Sequence, residues 1–398
     1  MNDSEAALTL SIISDPGNEV INHLLDQMGY VEVIQYLEGL LAGSYSDQMQ
    51  LTFNYFYTNF QAGVRKRPKA DSYEIMASNL ARVAINYRSR KIERALKLHD
   101  KNEIITILRT DPQYPKQFHD LEAKKPLVIF ARGQLSLLEK SQIVGIVGTR
   151  HFDNYGQTVA IEFARTLTQS GIVIVSGGAI GVDSAAHLGS LGNSIVVLAS
   201  GLDKMYPKEC ETIMLKNLEQ GGLCLSEMPA TSIVKGHLFL LRNRLIAALS
   251  KAVVIVEASY RSGAINTAQH AFDLHRLVCA IPGDVDQSRS SGTNRLIMDH
   301  KAEMVTTAQE LLGLMNLEIA LELSPEQPKI YQPLGIDLKE LPELERDTIM
   351  AMDFKNENAL ESIRQTTQLP LKELLLQLSR LEQKGIITKT EVGYKVLH

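Results

Sequence analysis

Two periodicities of apolar and polar positions divide the chain. Apolar residues recur at helical spacing in Val20–Leu25, Val31–Leu41 and Tyr73–Ile85, and no strand-like alternation appears before about Leu98. A helical domain over residues 1–100 is predicted. From Ile104 to about Leu314 the pattern changes to short β-branched runs alternating with helical stretches. The runs are Ile143–Val147, Ile172–Ser176, Ser194–Ala199, Leu223–Ser226, Ala252–Val256, Leu277–Ile281 and a weaker Glu303–Thr306. Most are apolar almost throughout, as strands of a parallel sheet are when helices cover both faces. Gly156–Ser170, Val182–Leu191 and Asn266–Leu274 supply crossover helices. The predicted fold is α/β, an extended Rossmann-like parallel sheet over residues 101–322.

A Pro-bearing stretch, Leu323–Leu334, reads as part of a linker over 323–340. Residues 341–398 form a unit of their own. Helical patterns cover Leu344–Met352, Ala359–Thr366 and Leu371–Lys384, and Gly385 stops the last as a C′ glycine does. Ile386–Thr390 and Tyr394–Leu397 follow, with Gly393 at the turn between them. Three helices and a hairpin predict a C-terminal winged-helix domain.

Composition narrows the function. A chain of 398 residues carries two or three domains at about 100–200 residues each. The net charge of -5 excludes a uniformly basic nucleic-acid binder, so any such activity rests on local clusters of Arg and Lys. The run Arg65-Lys66-Arg67-Pro68-Lys69 reads as a solvated loop. Cys210, Cys224 and Cys279 have neither disulfide arithmetic nor metal-ligand spacing and read as buried small apolar residues. No secretion signal or membrane span is read in the sequence. A cytoplasmic protein without metal, cofactor or membrane partner is expected.

The candidate chemistry falls at the carboxyl ends of the predicted strands, where ligands bind in open parallel sheets. These ends carry Gly148-Thr149-Arg150, Ser176-Gly177-Gly178-Ala179-Ile180-Gly181, Gly201, Glu227, Glu257 with Arg261-Ser262-Gly263, and Pro282-Gly283-Asp284. Lys235-Gly236-His237 and Arg242-Asn243-Arg244 add cations ahead of a helix over Leu245–Leu249, and Ser290–Arg295 reads as another polar helix start. Glycine loops let backbone amides approach an anion, helix N-termini add unpaired donors, and arginine adds a fork that fits phosphate oxygens. Each signal has a plainer reading: turn geometry for the glycines, and a structural ion pair for Arg242 or Arg244. Asp183 and His187, at i and i+4, are either a catalytic pair or capping and packing residues. Glu227 and Glu257 are either acid/base groups or hydrogen-bonding partners for nearby donors. No Walker-type GxxxxGK[ST] is present, which disfavours an NTPase.

Taken together, these segments resemble the DNA-processing protein A (DprA, Smf) family. The resemblance runs through Ile143–Arg150, Tyr155-Gly156, Ser176–Ala179, Gly181-Val182-Asp183, Ala185-Ala186-His187, Gly201-Leu202-Asp203, Tyr206-Pro207, Ser226–Pro229, Arg242–Ala247, Val256-Glu257-Ala258, Ser262-Gly263, Pro282-Gly283 and Ser291-Gly292-Thr293-Asn294-Arg295-Leu296-Ile297, in order. Asp111–Pro115 resembles the family's lead-in. The resemblance implies a non-enzymatic recombination mediator that binds single-stranded DNA, forms a homodimer and loads the RecA recombinase in natural transformation. It also implies a sterile-alpha-motif or helix-hairpin-helix-like N-terminal domain. Carried over by motif, Arg150 and Lys235 grip phosphates, and Gly177, Gly178, Ser262, Gly263, Ser291 and Asn294 line the pocket. Gly148, Thr149, Ser176, Arg242, Asn243, Arg244 and Gly292 complete the expected set, with Phe239 or His237 as stacking surfaces. The chain departs from the family at Leu240, where Pro is usual, at Ile180, where Arg is frequent, and at His275-Arg276, where a Gly-Arg pair is expected. A competing reading is a nucleotide phosphoribohydrolase on a related scaffold, whose Pro-Gly-Gly signature is here Pro282-Gly283-Asp284. A third is a transcription regulator, but Arg364, Lys372, Arg380 and Lys384 are few cations for major-groove reading, which favours a protein contact.

Overall fold

The apolar runs pair into one nine-stranded sheet among the described residues of the computed structural model, which are 1–41, 92–150, 154–232, 234–315, 341–352, 358–367, 369–384, 386–390 and 393–396. β1 (Ile105–Leu108) and β2 (Val128–Gly133) precede β3 (Ile143–Val147), β4 (Val173–Gly177), β5 (Ser194–Leu198), β6 (Leu223–Ser226), β7 (Ala252–Ile255), β8 (Leu277–Ala280) and β9 (Glu303–Met304). Their spatial order is β1-β2-β6-β5-β4-β3-β7-β8-β9. Every residue of β3 to β7 is buried, which is why those runs carry no alternation. All seven runs expected from the sequence are strands, paired in parallel from β6 across to β9. The pattern did not anticipate β1 and β2. β2 runs antiparallel to β1 and β6, and extends the sheet beyond the parallel set.

The helices that precede the sheet are α1 (Asp3–Ile13), α2 (Glu19–Leu25), α3 (Tyr30–Leu41) and α4 (Ile92–Lys101). Asn2 and Glu5 start α1 with a reciprocal capping box. Leu8, Leu10, Ile21 and Leu37 share one apolar core with Val128, Phe130, Val196 and Leu198 of the sheet. Each such side chain contributes about 1.5–3 kcal/mol when fully buried, so these helices are built onto the central sheet. The expected helix over Tyr73–Ile85, the basic run Arg65–Lys69 and the Leu323–Leu334 linker lie outside the described residues.

Crossovers are made by α5 (Asn154–Gln169), α6 (Val182–Gly189), α7 (Glu211–Glu219), α8 (Gly236–Leu249), α9 (Gly263–Asp273) and α10 (Ser291–Met298), with α11 (Ala308–Leu314) after β9. The chain steps outward from β3 to β6. Helix α8 then returns it to β7, beside β3, and it steps outward the other way. The strand order reverses between β3 and β7, and a crevice opens there at the carboxyl ends. Helix α8 starts nine residues before the expected Leu245, at Gly236, so Arg242, Asn243 and Arg244 are helical and buried rather than in a loop.

Arg244 ties α8 to the N-terminal helices. Its Nη2 donates to both carboxylate oxygens of Glu227, at 2.9 and 2.8 Å, and its Nε donates to Lys124 O at 3.1 Å. Glu227 also accepts from the Gly17 amide, between α1 and α2, at 2.9 Å. Both charged side chains are under a tenth exposed.

The chain divides into two compact units, Met1–Ile319 and Ala320–His398. In the second, α12 (Glu343–Met350), α13 (Leu360–Thr367) and α14 (Leu371–Gln383) precede an antiparallel hairpin of β10 (Ile387–Lys389) and β11 (Tyr394–Val396). Ile349, Ile363, Leu374, Leu378, Leu381 and Val396 form its core.

Removing one partner of a buried pair strands the other charge, so Glu227→Ala is expected to cost about 3–5 kcal/mol. Arg295→Ala, which breaks the exposed Arg295–Asp299 pair, is expected to cost under about 1 kcal/mol. Urea denaturation of the two variants checks the contrast, and equal midpoints refute it.

Candidate functional site

Between the ends of β3 and β7 lies a cleft of about 390 Å³. The turn after β3 lines it with Gly148, Thr149 and Arg150, and the turn after β7 with Ser259, Ser262 and Gly263. Helix α8 adds Gly236, Phe239, Leu240, Arg242 and Asn243, and α6 adds Asp183. Backbone bonds stitch the rim together. The Thr149 amide donates to Glu257 O at 2.7 Å, and the Val182 amide donates to Thr149 O at 3.2 Å. Gly148 has no room for a side chain, since a Cβ there would stand 2.6 Å from Val182 Cγ2.

Arg150 is exposed, and its guanidinium lies 5.0 Å from the centre of the Phe239 ring. Tyr206, 48% exposed, stands 6.1 Å from the same ring. Lys235 is the exposed N-cap residue of α8, next to the cleft-lining Gly236. Below them lies Arg242, 7% exposed. It lies against Gly177, where a Cβ would be 1.8 Å from Nη1. Its Nη1 is 4.0 Å from Asp183 Oδ2, too far for a hydrogen bond. Burial raises the Asp183 carboxyl above its ordinary range, opposed by Arg242, and burial lowers Arg242, opposed by Asp183.

Seven of the expected residues therefore meet in one cleft: Gly148, Thr149, Arg150, Arg242, Asn243, Ser262 and Gly263. Others go elsewhere. Ser176 is fully buried and its hydroxyl donates to Ile146 O. Gly177 is the surface on which Arg242 rests, and Gly178 packs against Leu198 and Met214. Arg244 is spent on Glu227. Ser291, Gly292 and Asn294 brace the rim instead of lining the cleft. The Gly292 amide donates to Ala258 O at 2.7 Å, Asn294 clasps both backbone groups of Gly283, and the Ser291 hydroxyl donates to Ser288 O. Sequence reasoning missed Ser259, Ala264 and Thr267 as lining residues; for Thr267 the signal was its spacing of one helical turn from Gly263.

Asp183 and His187 do not pair. Asp183 turns to Arg242, whereas His187 bridges Gly177 O and Ser194 Oγ, each at 2.9 Å. A carbonyl only accepts, so Nε2 carries the proton and Nδ1 accepts. Glu227 and Glu257 meet Arg244 and Arg289, the latter at 3.1 Å, as hydrogen-bonding partners. Among the described residues no cluster of His, Cys, Asp and Glu could hold a metal ion, and no helix is long and apolar enough to cross a membrane.

The sequence model of the DNA recombination-mediator protein A family matches residues 105–316, which run from β1 to just past α11. The chain belongs to this family. Among family proteins it is 34% identical over 278 residues to the protein Smf of Escherichia coli K12, covering 68% of this chain and 71% of that one. Two solved structures share the fold. DNA processing protein A from Streptococcus pneumoniae has a TM-score of 0.58 at 26% identity, over 79% of this chain and 98% of that one. DNA processing protein A from Helicobacter pylori, described in terms of its single-stranded DNA binding mode, has a TM-score of 0.50 at 31% identity, over 54% and 96%. The family match thus spans the whole cleft, from Val147 to Thr267.

Burial pushes His187 down to about 4 from its ordinary 6.5. A depressed pKa means that the folded protein refuses a proton the unfolded chain accepts. Stability is therefore complete above pH 6.5 and falls as pH drops toward 4, by about 3 kcal/mol in all. Thermal unfolding across that range checks this. His187→Gln is expected to flatten the dependence, and an unchanged pH profile in that variant refutes the assignment.

Proposed function

We propose that this chain is a single-stranded DNA-binding recombination mediator that holds the DNA backbone at the rim of the β3–β7 cleft. The observation that carries the reading is the exposed Arg150, which lines that cleft together with Gly263 at the start of α9. An anion placed there meets a guanidinium fork, a helix N-terminus and, at the edge, the Lys235 ammonium. The net charge of -5 is no obstacle, since these cations are concentrated at one edge. Phosphate contacts carry no base information, so sequence preference is slight. Phe239 and Tyr206 offer faces on which any base stacks. The single-stranded DNA binding of the Helicobacter pylori relative supports the same assignment.

The remaining elements are read in that light. The N-terminal helices are read as the sterile-alpha-motif or helix-hairpin-helix-like region, and the 341–398 unit, with three helices and a hairpin, as a winged helix that contacts protein rather than DNA. Its α14 leaves Leu371, Leu375 and Leu376 exposed. In this reading the protein is cytoplasmic and homodimeric, has no catalytic residue, and loads the RecA recombinase onto DNA taken up in natural transformation.

Oligo-dT binding tests the reading. Arg150→Ala and Lys235→Ala are each expected to weaken binding about tenfold and to lower the slope of log K against log salt by about one. Both side chains are exposed, so folding is not at stake. Wild-type affinity in both variants refutes the assignment. Nucleoside monophosphates are expected to release no base, and release would favour the hydrolase instead.

A further inference from the structure

The turn that leads toward helix α8 stands in a backbone conformation its sequence does not favour. Ser232 donates to Pro229 O twice, through its amide at 3.2 Å and its hydroxyl at 2.6 Å, and closes a turn over Pro229–Ser232. Thr231, third in that turn, has φ +73°. Glycine or asparagine ordinarily takes a left-handed third position, and a β-branched residue there is strained. Such strain persists only where the surroundings over-determine it, and it gathers at ligand clamps. Here two side chains from outside the turn hold it. The Ala230 amide donates to His99 Nε2 of α4 at 3.2 Å, and the Thr231 amide donates to Asp203 Oδ1, in the turn after β5, at 3.2 Å. His99 and Ala230 are buried, and the His99 ring meets Phe130 of β2 edge-on at 4.8 Å. An amide only donates, so Nε2 carries no proton. Burial lowers the His99 pKa, opposed by Asp203 and Asp100, and this favours the neutral ring that can accept. Gly201 lets the two turns close on each other, since a Cβ there would stand 2.6 Å from Pro229 O.

We infer that His99 and Asp203 are positioning residues for strand binding: they lock the strained turn that delivers Lys235 to the edge of the cleft. The inference rests on the strand-binding reading, and it gives a task to two residues outside the cleft lining. Lys235 comes only four residues after Thr231, and there it caps α8 next to the cleft-lining Gly236. A lysine on a free loop spreads its charge over many positions, and ordering that loop on binding costs affinity. A lysine that follows a fixed turn has met part of that cost in folding. Both amides of the turn are anchored without any DNA, one to the N-terminal helices and one to the sheet edge. Loss of either anchor therefore acts through Lys235. It leaves Arg150 alone, because the turn after β3 carries that residue.

Double-variant cycles test this, read by oligo-dT titration of the full-length protein at one salt concentration. His99→Leu keeps much of the bulk of the ring and removes the acceptor, whereas His99→Gln supplies one again. His99→Leu is expected to weaken binding about tenfold, as Lys235→Ala does, and the two together are expected to weaken it no further. His99→Leu combined with Arg150→Ala multiplies instead, to about a hundredfold. His99→Gln is expected to bind as the wild type does. Thr231→Gly relaxes the turn, so His99→Leu is expected to lose its effect in that background. Asp203 is only half-buried and offers a second route that spares the core. Asp203→Ala is expected to repeat the His99→Leu pattern, while Asp203→Asn, which removes the charge and keeps the acceptor, binds as the wild type. Wild-type affinity in Asp203→Ala and in folded His99→Leu overturns the inference. So does a loss that multiplies with Lys235→Ala, because these residues then act on the fold as a whole. Either result leaves Arg150 and Lys235 as strand contacts, whereas wild-type affinity in Arg150→Ala and Lys235→Ala removes the strand-binding reading itself.

Discussion

Arg242 lies so close to Gly177 that a Cβ would stand 1.8 Å from Nη1, and this contact seats helix α8 against the end of β4. Helix α8 has to return the chain from β6 to β7 across the sheet, and it packs on the strands it crosses. A long cationic side chain on its inner face has two outcomes: exclusion of the helix from the sheet, or a groove of bare backbone that receives it. Gly177 provides the groove at the end of β4. Gly148 does the equivalent at the end of β3, where Val182 of α6 occupies the space a side chain would need. Helices thus pack closely on the strand ends that flank the β3–β7 crevice.

The parallel sheet was legible because double burial leaves a direct mark: β-branched runs without alternation, each followed by a glycine or a polar turn. The antiparallel pair β1 and β2 was not. Val128–Ala131 is wholly apolar, but such a run reads equally well as buried helix when only its length and composition are in view. The N-terminus of α8 was hidden for a different reason. Arg242, Asn243 and Arg244 look like a polar loop, and only their tertiary partners make them a buried helical turn. The site divided along the same line. Residues whose role is fixed by the strand end they follow, Gly148 to Arg150 and Ser262-Gly263, lie where the sequence places them. Asn294 does not: it finds Gly283 instead of the cleft. For Arg244 and His187 the plainer readings hold, an ion pair with Glu227 and a packed histidine bonded to Ser194.

Arg242 and Arg244 show how finely this is decided. Two residues along a helix is a rotation of about 200°, so the two guanidinium groups point to opposite sides. One enters the cleft, and the other enters the seam with the N-terminal helices, where Glu227, Lys124 O and Leu241 O take its donors. Buried charge is affordable in both places for different reasons. Arg244 is neutralised at 2.8 Å within the fold, while Arg242 has a carboxylate 4.0 Å from its Nη1.

That asymmetry assigns the buried pair a purpose beyond stability. An ion pair desolvated on both sides is often no better than well-packed apolar side chains of the same volume, so its presence calls for another reason. Arg244 binds three acceptors from three parts of the chain: the turn before β2, its own helix, and the end of β6. Two of these, Lys124 O and Glu227, lie outside the helix and oppose its turning about its axis. Since Arg242 is two residues away on the same rigid turn, the angle that satisfies Arg244 is the angle that presents Arg242 to the cleft. The N-terminal helices enter through the Gly17 amide, which takes one more lone pair of Glu227 and closes the seam. The N-terminal helices and the cleft thus meet on α8, which carries Arg244 into the seam with Glu227 and Arg242 into the cleft.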